Sequence, residues 1–471
     1  MSLVVMKFGG TSVEDPAAIA GTAAIVAGRV SAGKKPVVVV SAMAKVTDQL
    51  LRAASSAAAG DKTGALAISS RLRSRHRDTA TALVKDAKES AELQRWIDAK
   101  FDALDEVLRG LAAILELTPR ISDLIVSHGE RLSSRMIASA FRERGVDAEA
   151  VDARQIILTD SQYQKAVPVD TAIEKRAEEK LRPLVADGKV PVMGGFIGSN
   201  EAGITTTLGR GGSDFTAALI GGVLNAEAIE IWTDVDGIMS ADPRVCPDAL
   251  RVKTISFEEA AELAYFGAKV LHPATILPAV RKNIPVLVLN SKNPANEGTR
   301  IISLAPHCRS PFKSIAVKKK LSIIDVVASR MLMTHGYLKE IFSVFDKHQC
   351  AVDMVSTSEV SVSLTVDSND KLPAVAADLS KLADVKYEGK KALICLVGED
   401  IRGKSGMAAQ VFGAVRHINV RMISQGASEI NMSFMIDEED ADEAVRSLHA
   451  AFFQDPDPAV FDVEARKAVV S

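Results

Sequence analysis

The sequence predicts an α/β fold, a mostly parallel sheet between helices, followed by a smaller α+β region that occurs twice. Three observations carry that prediction. Over about the first 295 residues, short β-branched runs alternate with longer helical patterns, the rhythm of strand–helix–strand units. Between Asn290 and Ser314 the chain is punctuated by Asn293-Pro294, Asn296-Glu297-Gly298, Pro306 and Pro311, which marks a boundary. Past it the chain repeats itself: Gly336, Phe342 and Glu359 fall opposite Gly406, Phe412 and Glu429, and Val352-Asp353-Met354-Val355-Ser356 resembles Val420-Arg421-Met422-Ile423-Ser424. Two copies are too few for a solenoid, so a paired regulatory module is expected.

The predicted strands of the first region are Leu3–Phe8, Pro36–Ser41, Val190–Phe196, Ile229–Thr233 and Pro285–Leu289. Most of them run on into Gly, Ser, Thr or Asp, and in open α/β sheets ligands bind beyond the carboxyl ends of the strands, where such loops converge. Residues 61–116 are Ala- and charge-rich, poor in strand formers and helical in period, so an inserted helical subdomain is expected there.

At 471 residues the chain exceeds the size of one hydrophobic core. Its 47% hydrophobic and 25% charged residues exclude a disordered, collagen-like or coiled-coil protein. With 57 basic against 60 acidic residues, nothing selects for nucleic acid or an anionic membrane. The amino terminus lacks a basic stretch and its apolar run ends at Lys7, so neither a signal peptide nor a spanning helix is expected, and the protein should be cytoplasmic. Cys246, Cys308, Cys350 and Cys395 lie far apart, without a CxxC pair or His at ligand spacing. Reduced thiols and no protein-held metal are expected.

The chemistry-bearing segments follow in order. Lys7-Phe8-Gly9-Gly10-Thr11-Ser12 leaves the first strand and leads toward a helix near Pro16–Ala27. Its glycines let a phosphate approach backbone N–H groups and Lys7 can neutralise it, although a strand–Gly-Gly turn is more often only a tight turn. No GxxxxGK loop occurs, so the fold is not a P-loop fold. Ser41 and Thr47 flank the end of the second strand, and taken alone one of them caps the helix that starts near Lys45. Ser127-His128-Gly129-Glu130 fits a capping box at the start of the helical pattern to Gly145, while a carboxylate there can also hold a substrate ammonium. Thr205 through Asp214 is the most informative stretch: glycines for close approach, Arg210 for a carboxylate, and Ser213-Asp214 opening the apolar helix Phe215–Leu224. Thr233-Asp234-Val235-Asp236-Gly237 ends another strand with two carboxylates, suited to Mg²⁺ or ribose or to a loop stabilised by its own Asp side chains. Asp242-Pro243-Arg244 forms a turn. Lys269 follows a helix begun by Ser256-x-x-Glu259, and His272 beside Pro273 reads as a structural histidine.

In register, Lys7 through Val13, Ser127 through Glu130, Gly194-Gly195-Phe196-Ile197-Gly198, Thr205 through Asp214, Thr233 through Gly237 and Phe266 through Pro273 resemble the aspartate kinase family, with a match over the whole chain. The resemblance implies an amino-acid kinase domain over 1–295, carrying the 61–116 insertion, and ACT domains over 315–390 and 391–465. The first ACT unit is inserted within the second, so that a strand near 305–317 completes the later copy. It also implies ATP and L-aspartate as substrates, Mg²⁺ carried by the nucleotide, and phosphorylation of the aspartate side-chain carboxylate.

By the same resemblance Lys7, Phe8, Gly9 and Gly10 hold the ATP phosphates. Ser41 lies near them, and Thr47, Glu130, Phe196, Arg210, Gly211, Ser213 and Asp214 surround aspartate. Arg210 takes the α-carboxylate and Glu130 the ammonium group. Lys7 and Asp214 form the catalytic pair, Asp214 orienting Lys7. Thr233, Asp234, Met239, Arg244 and Lys269 map onto nucleotide contacts, and Met239 stands where relatives usually carry a tyrosine beside the adenine.

The segments Met331 through Leu338 and Val352 through Val362 resemble the effector site of lysine-inhibited members. Met331, Thr334, Gly336, Tyr337, Leu338, Val352, Asp353, Thr357, Ser358 and Glu359 fall in it. The effector carboxylate is expected at Gly336-Tyr337-Leu338, and Asp353 with Glu359 suits a distal ammonium. Lysine is the expected effector and threonine the alternative. ACT units of this kind pair across subunits, which implies a homodimer and allows effector-driven tetramers. Two rivals stand beside this reading: another kinase of the same fold, for acetylglutamate, glutamate or UMP, and an inactive amino-acid sensor, against which Lys7, Arg210 and Asp214 are all intact. A fused homoserine dehydrogenase is not expected, since no GxGxxG unit follows the second repeat.

Overall fold

The fold is given by a computed structural model that describes residues 2–266, 273–327, 336–368 and 370–463. The chain divides into two compact units, Met1–Gly237 with Val270–Leu304, and Ile238–Lys269 with Ala305–Ser471.

In the first unit the strands are β1 (Leu3–Phe8), β2 (Lys35–Val40), β3 (Ala148–Val151), β4 (Val190–Gly194), the hairpin pair β5 (Ile197–Ser199) and β6 (Thr205–Thr207), and β7 (Ala228–Thr233), followed by Val286–Asn290 and Thr299–Ile302. The sheet runs β3-β4-β2-β1-β7, then Val286–Asn290 and Thr299–Ile302. Every neighbouring pair is parallel up to Val286–Asn290, and the last is antiparallel. Val37, Val38, Val39 and Val40 are all 0% exposed, as a strand covered on both faces requires.

The covering helices are α1 (Pro16–Ser31), α2 (Val46–Ala58), α3 (Lys62–Leu83), α4 (Ala87–Ile114), α5 (Pro119–Arg142), α6 (Asp170–Lys180), α7 (Arg182–Ala186) and α8 (Gly212–Leu224). Asp15 begins α1 by accepting from the Ala18 N–H at 2.8 Å, with Pro16 in the first turn. The α3–α4 pair occupies the segment where an inserted helical region was expected. Along α4, Leu93, Ile97, Phe101, Leu104, Leu108 and Leu111 are buried, and this spacing of three and four keeps one apolar stripe against the core.

Two local expectations fail. Ser127-His128-Gly129-Glu130 is not a capping box, because α5 already starts at Pro119. Thr118 caps it, accepting from the Ile121 N–H at 3.3 Å, and a Thr-Pro start outranks an internal Ser-x-x-Glu. Ser127 instead donates to the Leu124 carbonyl at 2.7 Å, in mid-helix. Neither Ser41 nor Thr47 caps α2; the cap position is Lys45, left-handed at φ 67° and without a side-chain cap bond.

The second unit contains helix Phe257–Tyr265, opened by the expected capping box of Ser256 and Glu259, and a six-stranded sheet. The order is Val352–Thr357, Ser361–Asp367, Phe312–Val327, Asp384–Gly398, Asn431–Asp437, Met422–Ser424. Its two central strands are long and antiparallel, paired from Phe312 with Gly398 to Val327 with Asp384. One half of the first strand, Leu321 to Val327, also pairs with Ser361–Asp367. The far half of the second, Lys391 to Val397, pairs with Asn431–Asp437. The border expected between the repeats, at 390/391, falls inside Asp384–Gly398. Gly336 and Gly406, matched in the internal repeat, both precede helices with left-handed φ of 85° and 81°, which only glycine adopts freely. Among the described residues no helix is long and apolar enough to cross a membrane.

Candidate active site

A cavity of about 430 Å³ opens beyond the carboxyl ends of β1, β2 and β4, and Lys7, Gly10, Ser41, Thr47, Glu130, Phe196, Arg210, Gly211, Ser213 and Asp214 line it. The structure thus brings together the expected catalytic pair and every residue expected around aspartate. Lys45 and Asp48 line it too and were not anticipated, since a left-handed lysine leaves no signature in sequence.

Lys7 Nζ lies 2.7 Å from Asp214 Oδ1, with side-chain exposures of 12% and 13%. Asp214 sits in the first turn of α8, so the helix start holds the carboxylate that holds the ammonium. Beside it Ser41 Oγ and Ser213 Oγ are 3.1 Å apart. The approach depends on Gly195: a Cβ there would sit 2.7 Å from Ser213 Cα. Phe196 next to it is left-handed at φ 66°, a cost of order 1 kcal/mol or more for a non-glycine residue. It is held so by its N–H donating to Thr216 Oγ1 at 3.0 Å and its carbonyl accepting from the Leu208 N–H at 2.9 Å. Asp123, unnoticed in the sequence, anchors the strand leading to the Gly209–Gly211 loop. It accepts from the Thr207 N–H at 2.9 Å and Thr207 Oγ1 at 2.8 Å, and burial raises its pKa.

Glu130 is the electrostatic exception. Its carboxyl is buried at 4% exposure. One oxygen accepts only a long 3.4 Å bond from the Ala42 N–H, and Oε2 has no partner among the described residues. Burial pushes its pKa up to about 8. A buried carboxyl with an unused oxygen on a cavity wall is a seat for a cation. His128, two residues earlier, is pushed down to about 4 by burial and so stays neutral. Its Nδ1 lies 3.0 Å from the Leu124 carbonyl, a structural role. At the mouth Arg210 is exposed. Lys7, Lys45 and Arg210 thus share one cavity with Asp48, Glu130 and the Lys7-bound Asp214, cations and carboxyls together that suit a zwitterion.

The ends of β1 and β7 lie side by side, since the Gly9 N–H donates to the Trp232 carbonyl at 3.1 Å. That bond uses one amide the Gly-Gly turn was expected to offer, and Gly10–Val13 closes into a short 3-10 turn. Phe8 offers nothing free: its ring stacks on Trp232 at 5.9 Å and its carbonyl accepts from the Ser41 N–H at 3.0 Å. Thr233 ends β7 and Asp234 is exposed just after it. Asp236 accepts from Asn290 Nδ2 at 2.8 Å, as the loop-stabilising alternative anticipated. Met239 and Arg244 belong to the second unit, and Arg244 lies exposed on Asp242 at 2.6 Å. Lys269 lies outside the described residues.

Of the expected effector residues, Met331 and Thr334 also lie outside the described residues. Gly336 caps helix Tyr337–Lys347, with Tyr337 buried and Leu338 exposed. Val352, Asp353 and Thr357 share one strand, and Ser358 and Glu359 form the exposed turn after it. Asp353 is already occupied: Lys318 Nζ lies 2.9 and 2.8 Å from its two oxygens, and the Tyr265 hydroxyl 3.3 Å from one of them. The four cysteines are buried and none of them is in a disulfide. Burial pushes Cys246 up to about 11 and Cys395 up to about 12, which keeps those two as inert thiols.

The amino acid kinase family matches residues 2–290, and the ACT domain matches residues 324–377 and 394–452. Over 461 residues the chain is 38% identical to the lysine-sensitive aspartokinase 3 of Escherichia coli (strain K12), covering 96% of this chain and 99% of that one. The chain belongs to the aspartokinase family. Solved aspartokinase structures agree. Escherichia coli aspartokinase III in complex with aspartate and ADP (R-state) superimposes with a TM-score of 0.83 at 37% identity, covering 96% of this chain and 100% of that one. The same enzyme with lysine and aspartate (T-state) gives 0.82 at 38% identity, covering 96% and 100%. The amino-acid kinase fold followed by ACT domains, expected from the sequence, is the fold of this aspartokinase.

Proposed function

We propose that the chain transfers the γ-phosphate of ATP to the side-chain carboxylate of L-aspartate, giving 4-phospho-L-aspartate, and that lysine restrains it through the ACT region. The observation that carries the proposal is the unpartnered buried Glu130 oxygen in the cavity that also holds the Lys7–Asp214 pair. An α-ammonium satisfies Glu130, Arg210 takes the α-carboxylate in a fork, and the side-chain carboxylate is left to face the phosphates. That carboxylate is already a nucleophile, so no general base is needed and the neutral His128 is no obstacle. Lys7 offsets the charge on the transferring phosphoryl group, and Asp214 keeps Lys7 aimed. Mg²⁺, carried by the nucleotide, would supply charge neutralisation at the phosphates; Asp234, exposed just after β7, would be the carboxylate available to it, since Asp236 is engaged by Asn290.

The relative crystallised with aspartate and ADP supports the substrates, and the one crystallised with lysine supports the effector. The start of helix Tyr337–Lys347 suits the lysine carboxylate. The test is ADP release from Mg-ATP with L-aspartate and hydroxylamine trapping of the acyl phosphate, with and without lysine. Aspartate-dependent hydroxamate that lysine suppresses is expected. Turnover indifferent to lysine would reopen the effector, and absence of hydroxamate would favour an amino-acid sensor.

A further inference from the structure

A second cavity, of about 200 Å³, lies between α4, α5 and the carboxyl ends of β3 and β4. Lys100 of α4 and Arg131 and Arg135 of α5 line it. Their charges are poorly compensated. Among the described residues neither Lys100 nor Arg131 has an ion-pair partner; Lys100 Nζ lies 5.4 Å from the Trp96 ring centroid. Arg135 reaches Glu92 at 3.2 Å through Nη2, but its Nε is buried without a partner. The carboxylate on this wall, Asp152, is held by a further cation: Arg154 grips it with Nε at 3.0 Å and Nη2 at 2.6 Å. Burial lowers the pKa of both Lys100 and Arg131 and neighbouring cations lower both further, while Asp152, shared with Arg154, offsets this only in part. Like charges gathered around a partly desolvated hole repel one another until an anion enters.

We propose that this cavity is a second binding site, for a compact tetrahedral oxyanion of the phosphate class. Arg131 and Arg135 offer guanidinium donors, Ser134 on the wall adds a hydroxyl, and Lys100 adds a point charge. The site is distinct from the catalytic cavity yet shares its wall. Arg131 follows Glu130 directly on α5, and Gly194, which lines the second cavity, abuts Glu130 so closely that a Cβ there would lie 2.9 Å from Glu130 Cβ. An anion that draws Arg131 and Arg135 together therefore bears on the backbone that carries Glu130, and the site tunes aspartate binding.

Trp96 on the cavity wall reports directly. The full-length protein is titrated with inorganic phosphate, and in a parallel arm with glycerol 3-phosphate, at ionic strength held constant with potassium chloride. Tryptophan emission and calorimetry are followed with saturating ADP present to fill the nucleotide site. A saturable response is expected, weakened at least tenfold in Arg131→Met. In Trp96→Phe the optical signal is lost while the calorimetric one remains. Tighter binding of the ester points to an organic phosphate, and equal binding to the free ion. Arg131→Met should also keep its turnover in phosphate-free buffer while losing any phosphate-induced change in the KM for aspartate. No saturable heat in either arm, or equal affinity in wild type and Arg131→Met, overturns the proposal.

Discussion

Glu130 enters the empty protein with a proton on it. Its pKa is raised from the ordinary 4.5 to about 8 by burial, so its penalty on folding is absent below pH 4.5 and grows as pH rises toward 8. Linkage puts that penalty on the order of 3 kcal/mol near neutrality. An aspartate ammonium favours the charged carboxylate, so binding expels the proton, and the KM for aspartate should fall as pH rises from 6 to 8. Initial-rate kinetics across that window check it; a KM that is flat or rises would count against Glu130 as the ammonium seat. Glu130→Gln should raise the apo stability at pH 8 by roughly 1–3 kcal/mol, read as Tm, while lowering kcat/KM for aspartate by about 10- to 100-fold, the worth of one charged hydrogen bond. Arg210→Ala should weaken aspartate use comparably and leave ATP binding intact; near-wild-type kinetics would remove Arg210 from the site. Lys7, Arg210 and Asp214 stood out in the sequence because their motifs are local, whereas Glu130 read on its own as a helix cap and only the family resemblance set it at the ammonium. Asp123 and Lys45 did not stand out. The first acts through hydrogen bonds to Thr207, far along the chain, and the second through a backbone angle.

At the level of single elements, the turn from β4 through Gly195 and Phe196 sets the floor of the catalytic cavity. Gly195→Ala would place a methyl 2.7 Å from Ser213 Cα, against backbone that cannot swing away. A loss of about 1–3 kcal/mol in urea unfolding is expected, together with a fall in kcat. Unchanged stability and rate would show that the start of α8 can yield. The strand Val352–Thr357 carries the second element-scale prediction. Lys318 now occupies Asp353, the carboxylate expected to draw the effector's distal ammonium, so Lys318→Met should lower the lysine concentration that halves activity. Inhibition that is weakened instead would make Lys318 part of the effector site rather than its competitor. Five of the six parallel strands were legible to within a residue or two because β-branched runs buried on both faces have few alternatives; β3, Ala-Glu-Ala-Val and only partly buried, was missed. The start of α5 was misread because an internal Ser-x-x-Glu drew attention from Thr118-Pro119. The long strands Phe312–Val327 and Asp384–Gly398 were not legible as single strands. Lys318-Lys319-Lys320 interrupts the apolar run of the first and Glu388-Gly389-Lys390-Lys391 that of the second, and only tertiary pairing carries the strands through.

On the scale of the whole molecule, a pairwise repeat in sequence has become one sheet in space. Both repeats contribute to Phe312–Val327 and Asp384–Gly398, each strand bonded along its length to the other. Ending the chain at residue 390 would strip Phe312 to Lys318 of their partners in Lys391–Gly398 and leave a raw strand edge, an invitation to intermolecular pairing. The two repeats cannot, on this account, be traded separately. A chimera meant to borrow another relative's effector response has to cut outside both long strands and move the pair as a single cassette, because a seam at the repeat boundary runs through the middle of a strand.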